Sequence, residues 1–252
     1  MKYIDVHAHL TDKRYNLGKT YADLVGFVVV NAGYDKSSTI FAREISETYP
    51  NSYYTAGVHP EELKDGYIEF LDNLEEYAKG KNCVAIGECG LDYHYTKEKK
   101  VEQREVFIKQ ILIAEKLGLP LVIHSRDASF DMQNLLTEYK EHLKNGFLLH
   151  CYSDSAELAE YYVKMGAYFS FGGVVTFKNA KKEKVLEKIP IDRILSETDS
   201  PYMAPEPFRG RVNTPKYIPY IVEKLASIYG VSVEEMQVQI LENAQRFYKR
   251  KF

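Results

Sequence analysis

Residues 2–12 read KYIDVHAHLTD, and apolar and polar side chains alternate along this stretch. Successive side chains of a β-strand point to opposite faces, so Asp5, His7 and His9 share one face while the other face is aliphatic. A polar group that is buried without a partner costs roughly 2–7 kcal/mol. The stretch therefore predicts a buried strand whose polar face meets partners from elsewhere in the chain.

Seven further short apolar runs follow, and segments with helical spacing of apolar residues lie between them. Strands are predicted at residues 3–9, 26–31, 53–59, 83–88, 121–124, 147–150, 167–171 and 193–199. Helices are predicted at residues 36–49, 64–79, 101–119, 129–144, 154–165, 178–188, 215–229 and 233–249. Eight such repeats predict an α/β fold, a single-domain (β/α)8 TIM barrel over residues 1–252. An open doubly wound sheet is the alternative, although no glycine-rich phosphate loop follows the first strand.

Composition excludes several classes of protein. The chain has 33 Lys and Arg against 36 Asp and Glu, a net charge of -3, so any phosphate binding must be local. Three cysteines without a CxxC motif argue against a disulfide framework and indicate a reducing compartment. The first residues lack the apolar core of a signal peptide, and no stretch is long and apolar enough for a membrane span. We therefore expect a cytoplasmic protein with no membrane contact.

Five of the seven histidines lie at the carboxyl ends of predicted strands. They are His7 and His9 in the first strand, His59 in the third, His124 in the fifth and His150 in the sixth, joined by Glu88 of the fourth and Asp199 of the eighth. Each alone has an ordinary explanation, such as a hydrogen-bonded core histidine or a helix cap. The catalytic groups of TIM barrels come from this end of the strands, so seven such residues together predict one shared site.

Histidines and carboxylates that converge on one point need a cation between them. Four histidines and two carboxylates exceed the three protein ligands typical of one catalytic zinc, so two divalent metal ions are predicted. Such a pair activates water and stabilises the oxygens of a displacement, which is hydrolytic chemistry. A histidine-rich set favours Zn²⁺, Mn²⁺ or Fe²⁺ over Mg²⁺, which prefers oxygen ligands.

Six segments in order resemble the signatures of the TatD family of metal-dependent deoxyribonucleases, whose barrels are of the amidohydrolase type. They are YIDVHAHL (3–10), GVHPEE (57–62), AIGECGLDYH (85–94), PLVIHSRDA (120–128), LLHCYSD (148–154) and ILSETDSPY (194–202). The resemblance implies that His7, His9 and Asp199 hold one metal, that His124 and His150 hold the second, and that Glu88 bridges them. It also implies DNA as substrate and Mg²⁺ as the usual metal, so the metal is left open among Mg²⁺, Mn²⁺ and Zn²⁺.

Further roles are predicted around these ligands. Asp199 is a candidate general base for the attacking water. His59 is a candidate to contact the scissile phosphate or protonate the leaving group; alternatively it caps the barrel rim before Pro60. Arg126 is a candidate phosphate ligand, with a salt bridge to Asp127 or Asp131 as the alternative.

Other residues near the ligands carry weaker expectations. Asp5 and Asp92 are expected to orient ligand histidines. Cys89 and Cys151 are expected to be buried apolar residues, turned away from the site by strand alternation. The basic runs at 97–100, 181–184 and 249–251 are expected to be solvated helix faces.

Four tyrosines follow the strands that carry ligands and are candidates to line the mouth of the site, where unpaired bases stack. They are Tyr93, Tyr95, Tyr152 and Tyr202, with ordinary rim packing as the alternative for each. We single out Tyr202 as a substrate-binding residue.

Three functional classes follow from these patterns. The first is a two-metal phosphodiesterase that cleaves DNA, single strands or ends, with no obligate protein partner. The second is a small-molecule amidohydrolase, lactonase or esterase; many relatives of this kind bridge their metals with a carboxylated lysine at the end of strand four, where this chain has Glu88. The third is a non-catalytic metal-binding scaffold, which the full set of ligands disfavours.

Overall fold

Eight parallel strands form one sheet in the computed structural model, which describes residues 2–252. The strands follow one another in sequence order around the sheet. Their bounds are β1 Tyr3–Ala8, β2 Phe27–Asn31, β3 Ser52–Ala56, β4 Cys83–Asp92, β5 Leu121–Arg126, β6 Phe147–Leu149, β7 Tyr168–Phe171 and β8 Ile194–Ser196. The predicted (β/α)8 barrel is confirmed.

The first and last strands meet and close the barrel. Ala8 and Ser200 form a parallel bridge, and the amide of His9 donates to the carbonyl oxygen of Ser200 at 2.8 Å. The amide of Asp199 donates to the carbonyl oxygen of His7 at 3.0 Å. Closure therefore brings the two ends of the predicted ligand set together, although 190 residues separate His9 from Asp199 along the chain.

Helices surround the sheet. Their bounds are α1 Leu17–Ala22, α2 Lys36–Thr48, α3 Tyr67–Asp72, α4 Leu74–Ala78, α5 Lys100–Leu117, α6 Ser129–Glu138, α7 Ala156–Lys164, α8 Glu183–Leu186, α9 Ile218–Tyr229 and α10 Val233–Phe247. Side-chain caps begin several of them; Asp35 and Ser232 each form a capping box with the third residue of the helix that follows. Gly118 and Gly230 end α5 and α9 in the left-handed conformation that glycine adopts without penalty.

Several predicted boundaries are wrong. The predicted helix 64–79 is two helices, because the Asn73 side chain bonds back to the Glu69 carbonyl oxygen at 2.8 Å and ends the first. The predicted helix 178–188 shrinks to α8, since Lys181 has a positive φ that a right-handed helix excludes. Helix α1 was not predicted, and the predicted helix 129–144 ends as an α-helix at Glu138.

Strand ends also differ from the prediction. Strand β4 runs four residues beyond Glu88, to Asp92, and its register with β5 shifts between Ile86 and Cys89. Strands β3 and β8 end earlier than expected, so His59 and Asp199 follow their strands by three residues. These side chains are therefore carried on loop backbone at the carboxyl edge of the barrel.

Two glutamines of α5 hold the backbone at that edge. Gln103 accepts from the amide of Asp92 at 2.9 Å and donates to the carbonyl oxygen of Asp92 at 2.8 Å. Gln110 holds both backbone groups of Val58 in the same way, at 2.8 and 3.0 Å. Because both glutamines are buried, these bonds fix the segments that carry Asp92 and His59.

Two glycines let the backbone beside Glu88 pack closely. A Cβ atom on Gly57 would lie 2.5 Å from the carbonyl carbon of Gly87, and one on Gly87 would lie 2.6 Å from the carbonyl oxygen of Val122. Neither distance leaves room for a side chain. Strands β3, β4 and β5 therefore approach one another directly where Glu88 enters the site.

Candidate metal centre

The six predicted metal ligands converge at the carboxyl end of the barrel. His7, Glu88 and His124 lie within strands β1, β4 and β5, while His9, His150 and Asp199 lie on the backbone just beyond β1, β6 and β8. All six are buried or half-buried. His7 and His150 stack face to face with their ring centroids 4.1 Å apart.

Glu88 lies at the centre of this cluster, and each of its carboxylate oxygens faces a separate group of histidines. Oε2 is 3.2 Å from Nε2 of His7 and 3.7 Å from Nε2 of His9. Oε1 is 3.2 Å from Nδ1 of His124 and 2.8 Å from Nε2 of His150. One carboxylate therefore stands between two sets of imidazole nitrogens.

Asp199 joins the first of these groups. Its Oδ1 is 3.1 Å from Nε2 of His9 and 3.8 Å from Nε2 of His7. Within residues 2–252, three overlapping groups could hold a metal ion, with ligand atoms all within 4.8 Å of one another: His7, His150 and Asp199; His7, His9 and Glu88; His59, Glu88 and His124.

The arrangement fits divalent metal ions. Nε2 of His7 is 3.2 Å from Nε2 of His9, and Nδ1 of His124 is 3.4 Å from Nε2 of His150. Two neutral imidazole nitrogens that face each other at such distances repel unless a proton or a cation lies between them. A buried set of imidazole and carboxylate donors is the kind that Zn²⁺ and Mn²⁺ accept.

His124 and His59 differ in the hydrogen bond made by the ring nitrogen that points away from Glu88. Nε2 of His124 is 2.9 Å from Oδ2 of Asp92, so Nε2 carries a proton, and the neutral form of His124 turns the lone pair of Nδ1 toward Glu88. His59 is reversed, because its Nδ1 accepts from the amide of Glu61 at 3.2 Å. Neutral His59 therefore carries its proton on Nε2, which points to Oε1 of Glu88 at 3.3 Å. His59 is oriented as a donor toward the site and also caps the turn after β3.

The charged side chains of the cluster shift one another's pKa values. Burial opposes ionisation of Glu88, but the nearby His150, His59 and His7 outweigh it and hold its pKa well below the usual value. Burial likewise disfavours protonation of His150, yet Glu88 and Glu197 raise its pKa. Burial dominates at His7 and lowers its pKa. Without metal, protons on some of these histidines balance the carboxylates, and a metal ion would displace them.

Two further carboxylates support the centre from below. Asp5 holds His7 through its backbone rather than through its ring; it accepts from the amides of His7 and Thr198 and from the Thr198 hydroxyl. Glu197 was missed by the sequence analysis; its Oε2 accepts from Ser170 at 2.5 Å and lies 3.7 Å from Nδ1 of His150. The sequence feature that could have identified Glu197 is its acidic side chain two positions before Asp199.

A cavity of about 720 Å³ opens above the ligands. Tyr95 and Tyr202 border it and are 58% and 51% exposed, as expected of residues at its mouth. Tyr152 also borders it but is buried and packs edge-on against Phe169, and Tyr93 lies outside it with its hydroxyl on Asp131 at 2.8 Å. The expectation that Tyr93 and Tyr152 present stacking surfaces is therefore wrong.

Arg126 borders the same cavity, and no carboxylate among residues 2–252 pairs with its guanidinium. Its guanidinium lies over the Tyr95 ring, 4.8 Å from the centroid. Asp127 pairs instead with His94 at 2.8 Å, and Asp131 accepts from Tyr93. Within residues 2–252 Arg126 forms no ion pair, so the alternative of a salt bridge is wrong.

The cysteines and lysines near the site differ in part from expectation. Cys89 is fully buried, as expected, but Cys151 is half-buried and borders the cavity. In the basic run 181–184, Lys181 and Lys182 precede α8 and lie on a loop rather than on a helix face. Lys182 borders the cavity and donates to the carbonyl oxygen of Tyr152 at 3.1 Å, and burial lowers its pKa.

A closed (β/α)8 barrel with histidines and carboxylates gathered at the carboxyl ends of its strands defines a metal-dependent hydrolase. The sequence model of one such family, described as TatD related DNase, matches residues 4–249. The chain belongs to this family.

Relatives with similar sequences carry matching names. The chain is 41% identical to the uncharacterized metal-dependent hydrolase YabD of Bacillus subtilis, over 97% of this chain and 98% of the relative. It is 36% identical to the uncharacterized metal-dependent hydrolase YcfH of Escherichia coli K12, over 98% and 96%. The crystal structure of YjjV, a TatD homologue from Escherichia coli, superposes with a TM-score of 0.89 at 24% identity and 98% coverage of both chains, which supports the fold.

Among residues 2–252, no helix combines the length and the apolar character that crossing a membrane requires.

Proposed function

We propose that this protein is a two-metal phosphodiesterase that hydrolyses DNA. The observation that carries the proposal is Glu88, whose two carboxylate oxygens face two separate groups of histidines. A carboxylate in this position suits a bridge between two cations, one held with His7, His9 and Asp199 and the other with His124 and His150. When bound, two divalent cations activate water and neutralise charge on a phosphate.

The residues around the proposed metals would each act on one part of the substrate. Asp199, half-buried beside His9, would accept the proton of the attacking water. His59 carries a proton on the nitrogen that faces the centre and would donate it to the leaving oxygen. Arg126, which has no carboxylate partner among residues 2–252, would bind a phosphate oxygen.

The cavity size favours single strands or frayed ends as substrate. A volume of about 720 Å³ lies in the range of small-ligand pockets, roughly 300–1,000 Å³, and holds a nucleotide or two rather than a duplex. Tyr202 at its mouth offers an aromatic surface to an unpaired base. We expect unpaired DNA to be cleaved faster than paired DNA.

Cleavage of end-labelled DNA tests the proposal. Metal-stripped protein is assayed with single- and double-stranded DNA after addition of Mg²⁺, Mn²⁺ or Zn²⁺, beside His9→Ala and the matched control His142→Ala. His142 pairs with Glu115 on the surface at 2.7 Å, so its loss should leave activity intact. Metal-dependent cleavage that His9→Ala abolishes supports the proposal and identifies the working metal.

A different result would redirect the assignment. Protein that binds metal but cleaves no DNA under any of these conditions contradicts the phosphodiesterase function. Small-molecule esters, lactones and amides would then be tested, because a two-metal centre also attacks carbonyl carbon.

The role of His59 has its own test. Loss of a general acid typically lowers the rate by roughly 10²–10⁴-fold, so His59→Gln should reduce DNA cleavage on this scale while both metals stay bound. With a p-nitrophenyl phosphodiester, whose leaving group needs no proton, the loss should be much smaller. Equal losses on both substrates would exclude acid catalysis by His59.

A further inference from the structure

Five basic side chains lie on the two loops that follow strands β7 and β8. They form what we call the basic rim: Lys178, Lys181, Lys182, Arg209 and Arg211. Both loops leave the carboxyl ends of their strands, so the rim lies on the same face of the barrel as the metal centre. Four of the five side chains are exposed, and Lys182 is half-buried.

The charges of the basic rim are not neutralised by ion pairs. Within residues 2–252, none of the five side chains has a carboxylate within 4.0 Å. Three acidic residues lie near the rim; Glu183 pairs with Lys224 at 3.6 Å, Glu206 is exposed, and Asp154 acts on Lys182 through its charge. The rim therefore has a local excess of positive charge in a protein whose net charge is -3.

The loops after β1 and β3 are less basic, because Arg14 and Lys64 are already paired there and Lys13 is the exposed cation of the β1 loop for which no ion pair forms within residues 2–252. Arg14, after β1, forms two hydrogen bonds with Asp12 at 2.8 and 2.9 Å. Lys64, after β3, pairs with Glu62 at 2.8 Å, and Glu61 and Glu62 themselves border the cavity. A polyanion would therefore be attracted more strongly to the loops after β7 and β8 than to those after β1 and β3.

Direct contacts join the two loops into one surface. The guanidinium of Arg209 lies over the Phe177 ring, 4.5 Å from its centroid. The amide of Glu206 donates to the hydroxyl of Thr176 at 2.9 Å. Gly173 passes so close to the other loop that a Cβ atom there would lie 2.0 Å from the carbonyl oxygen of Met203. The basic side chains are therefore held on a common scaffold.

The rim is continuous with the cavity. Lys182 borders the cavity, and its ammonium is tied to the carbonyl oxygen of Tyr152 at 3.1 Å. Tyr202 and Met203, exposed at the start of the β8 loop, border the cavity from the other loop. Lys182 is the rim residue at the cavity border, and a chain that leaves the cavity between these residues would reach the other four along the two loops.

We propose that the basic rim binds the phosphates of a nucleic acid strand beyond the scissile bond. The strand then leaves the metal centre across the loops after β7 and β8 rather than across those after β1 and β3. This inference rests on the proposed function, and it makes the substrate a polynucleotide rather than a mononucleotide or a small ester. Affinity should then grow with the number of phosphates on that side of the cleaved bond.

Binding and cleavage are measured with an oligothymidylate of about 12 nucleotides, a length within the range of single-strand binding sites, and with the dinucleotide. The test variant is Lys178→Gln/Lys181→Gln/Arg211→Gln, which leaves Lys182 and the Arg209 contact intact. The matched control is Lys81→Gln/Lys140→Gln/Lys144→Gln, three exposed lysines in the segments that precede β4 and β6, at the opposite end of the barrel. Thermal unfolding checks that both variants fold.

The rim variant should bind the long strand about tenfold more weakly than wild type near 0.1 M salt. The slope of log K against log salt should be smaller in magnitude by up to about 2, since each single-strand phosphate contact contributes about 0.7 to that slope. Its loss in kcat/KM should be larger on the long strand than on the dinucleotide. Glu206→Lys, which adds a charge beside the rim, should tighten binding.

Each outcome separates the rim from the proposed function. Equal binding by the rim and control variants, or equal losses on both substrates, would overturn the rim inference while DNA cleavage by wild type still stood. Wild-type protein that cleaves no DNA, yet binds the long strand through the rim, would overturn the phosphodiesterase function alone. Wild-type protein that neither binds nor cleaves the strand would overturn both.

Discussion

Replacing Asp92 by Asn tests the orientation of the metal centre. Asp92 is buried at the end of β4; Oδ1 accepts from the amides of His94 and Tyr95 at 2.9 Å each, and Oδ2 faces Nε2 of His124 at 2.9 Å. The asparagine side chain could keep the two bonds from backbone amides only by turning its NH₂ group toward the protonated Nε2 of His124. Two donors would then face each other.

General magnitudes give the expected loss of metal affinity in the Asp92→Asn variant. A hydrogen bond to a charged group contributes roughly 1.5–3 kcal/mol, and removal of such a partner from a metal-bound histidine typically costs about 10–100-fold in metal affinity or activity. We expect Asp92→Asn to weaken metal binding in this range while the barrel stays folded. Competition with a chelating dye measures the affinity, and DNA cleavage measures the consequence.

Asp131→Asn is the matched control, because Asp131 only accepts from the Tyr93 hydroxyl, which an amide oxygen also does. A folded Asp92→Asn variant with wild-type metal affinity and activity would refute the assignment of His124 Nδ1 as a ligand atom that Asp92 orients.

The same carboxylate predicts a dependence of stability on pH. Burial opposes its ionisation, but hydrogen bonds from His124 and from the amides of Tyr95 and His94 lower its pKa from 3.8 to about 2. A carboxylate with a lowered pKa stabilises the folded state above its unfolded pKa and loses that contribution as the pH falls through the folded value. Metal-free wild type should therefore lose about 2 kcal/mol more than Asp92→Asn between pH 4 and pH 2, as measured by urea unfolding.

Three further predictions follow from the geometry. Gly57→Ala should destabilise the protein by about 1–3 kcal/mol and lower activity, because its Cβ would lie 2.5 Å from Gly87 beside Glu88. Gly18→Ala is the control, since its Cβ would meet only an atom at 3.7 Å, and chemical denaturation compares the stability of the two variants. Tyr202→Ala should weaken single-strand binding by about 1–3 kcal/mol without loss of metal, as judged by anisotropy and metal analysis, and unchanged affinity would remove stacking from its role. Metal binding near pH 7 should release protons, since His9 has a raised pKa and is partly protonated without metal. Calorimetry in two buffers of different ionisation enthalpy measures the number of protons released, and a value of zero contradicts the prediction.

Much of the site was predictable because its information is local. Alternation along residues 2–12 and the recurrence of His, Glu and Asp at strand ends depend only on strand geometry and on the rule that TIM barrels gather function at one end. The six ligands implied by the resemblance accordingly lie together around Glu88. Their roles in metal binding and catalysis stay predictions.

Other features depended on contacts that no local pattern encodes. Tyr93 and Tyr152 follow ligand strands just as Tyr95 and Tyr202 do, yet the first two are buried and the others exposed. The difference arises because Tyr93 meets Asp131 of α6 and Tyr152 meets Phe169 of β7, contacts that form only when these elements pack together.

The orientation of the histidine rings likewise depended on the folded structure, through a contact between strands for His124 and through a local turn for His59. A histidine at a strand end can offer either ring nitrogen, and the choice depends on which partner holds the other one. Asp92 holds Nε2 of His124, and the amide of Glu61 holds Nδ1 of His59, so one faces the centre with a lone pair and the other with a proton. The sequence by itself determined which residue types gather at the barrel end, because strand periodicity is local. Only the folded structure decided what each atom there can donate or accept, because Asp92 reaches His124 from the neighbouring strand β4 and Glu61 reaches His59 through the turn that follows it.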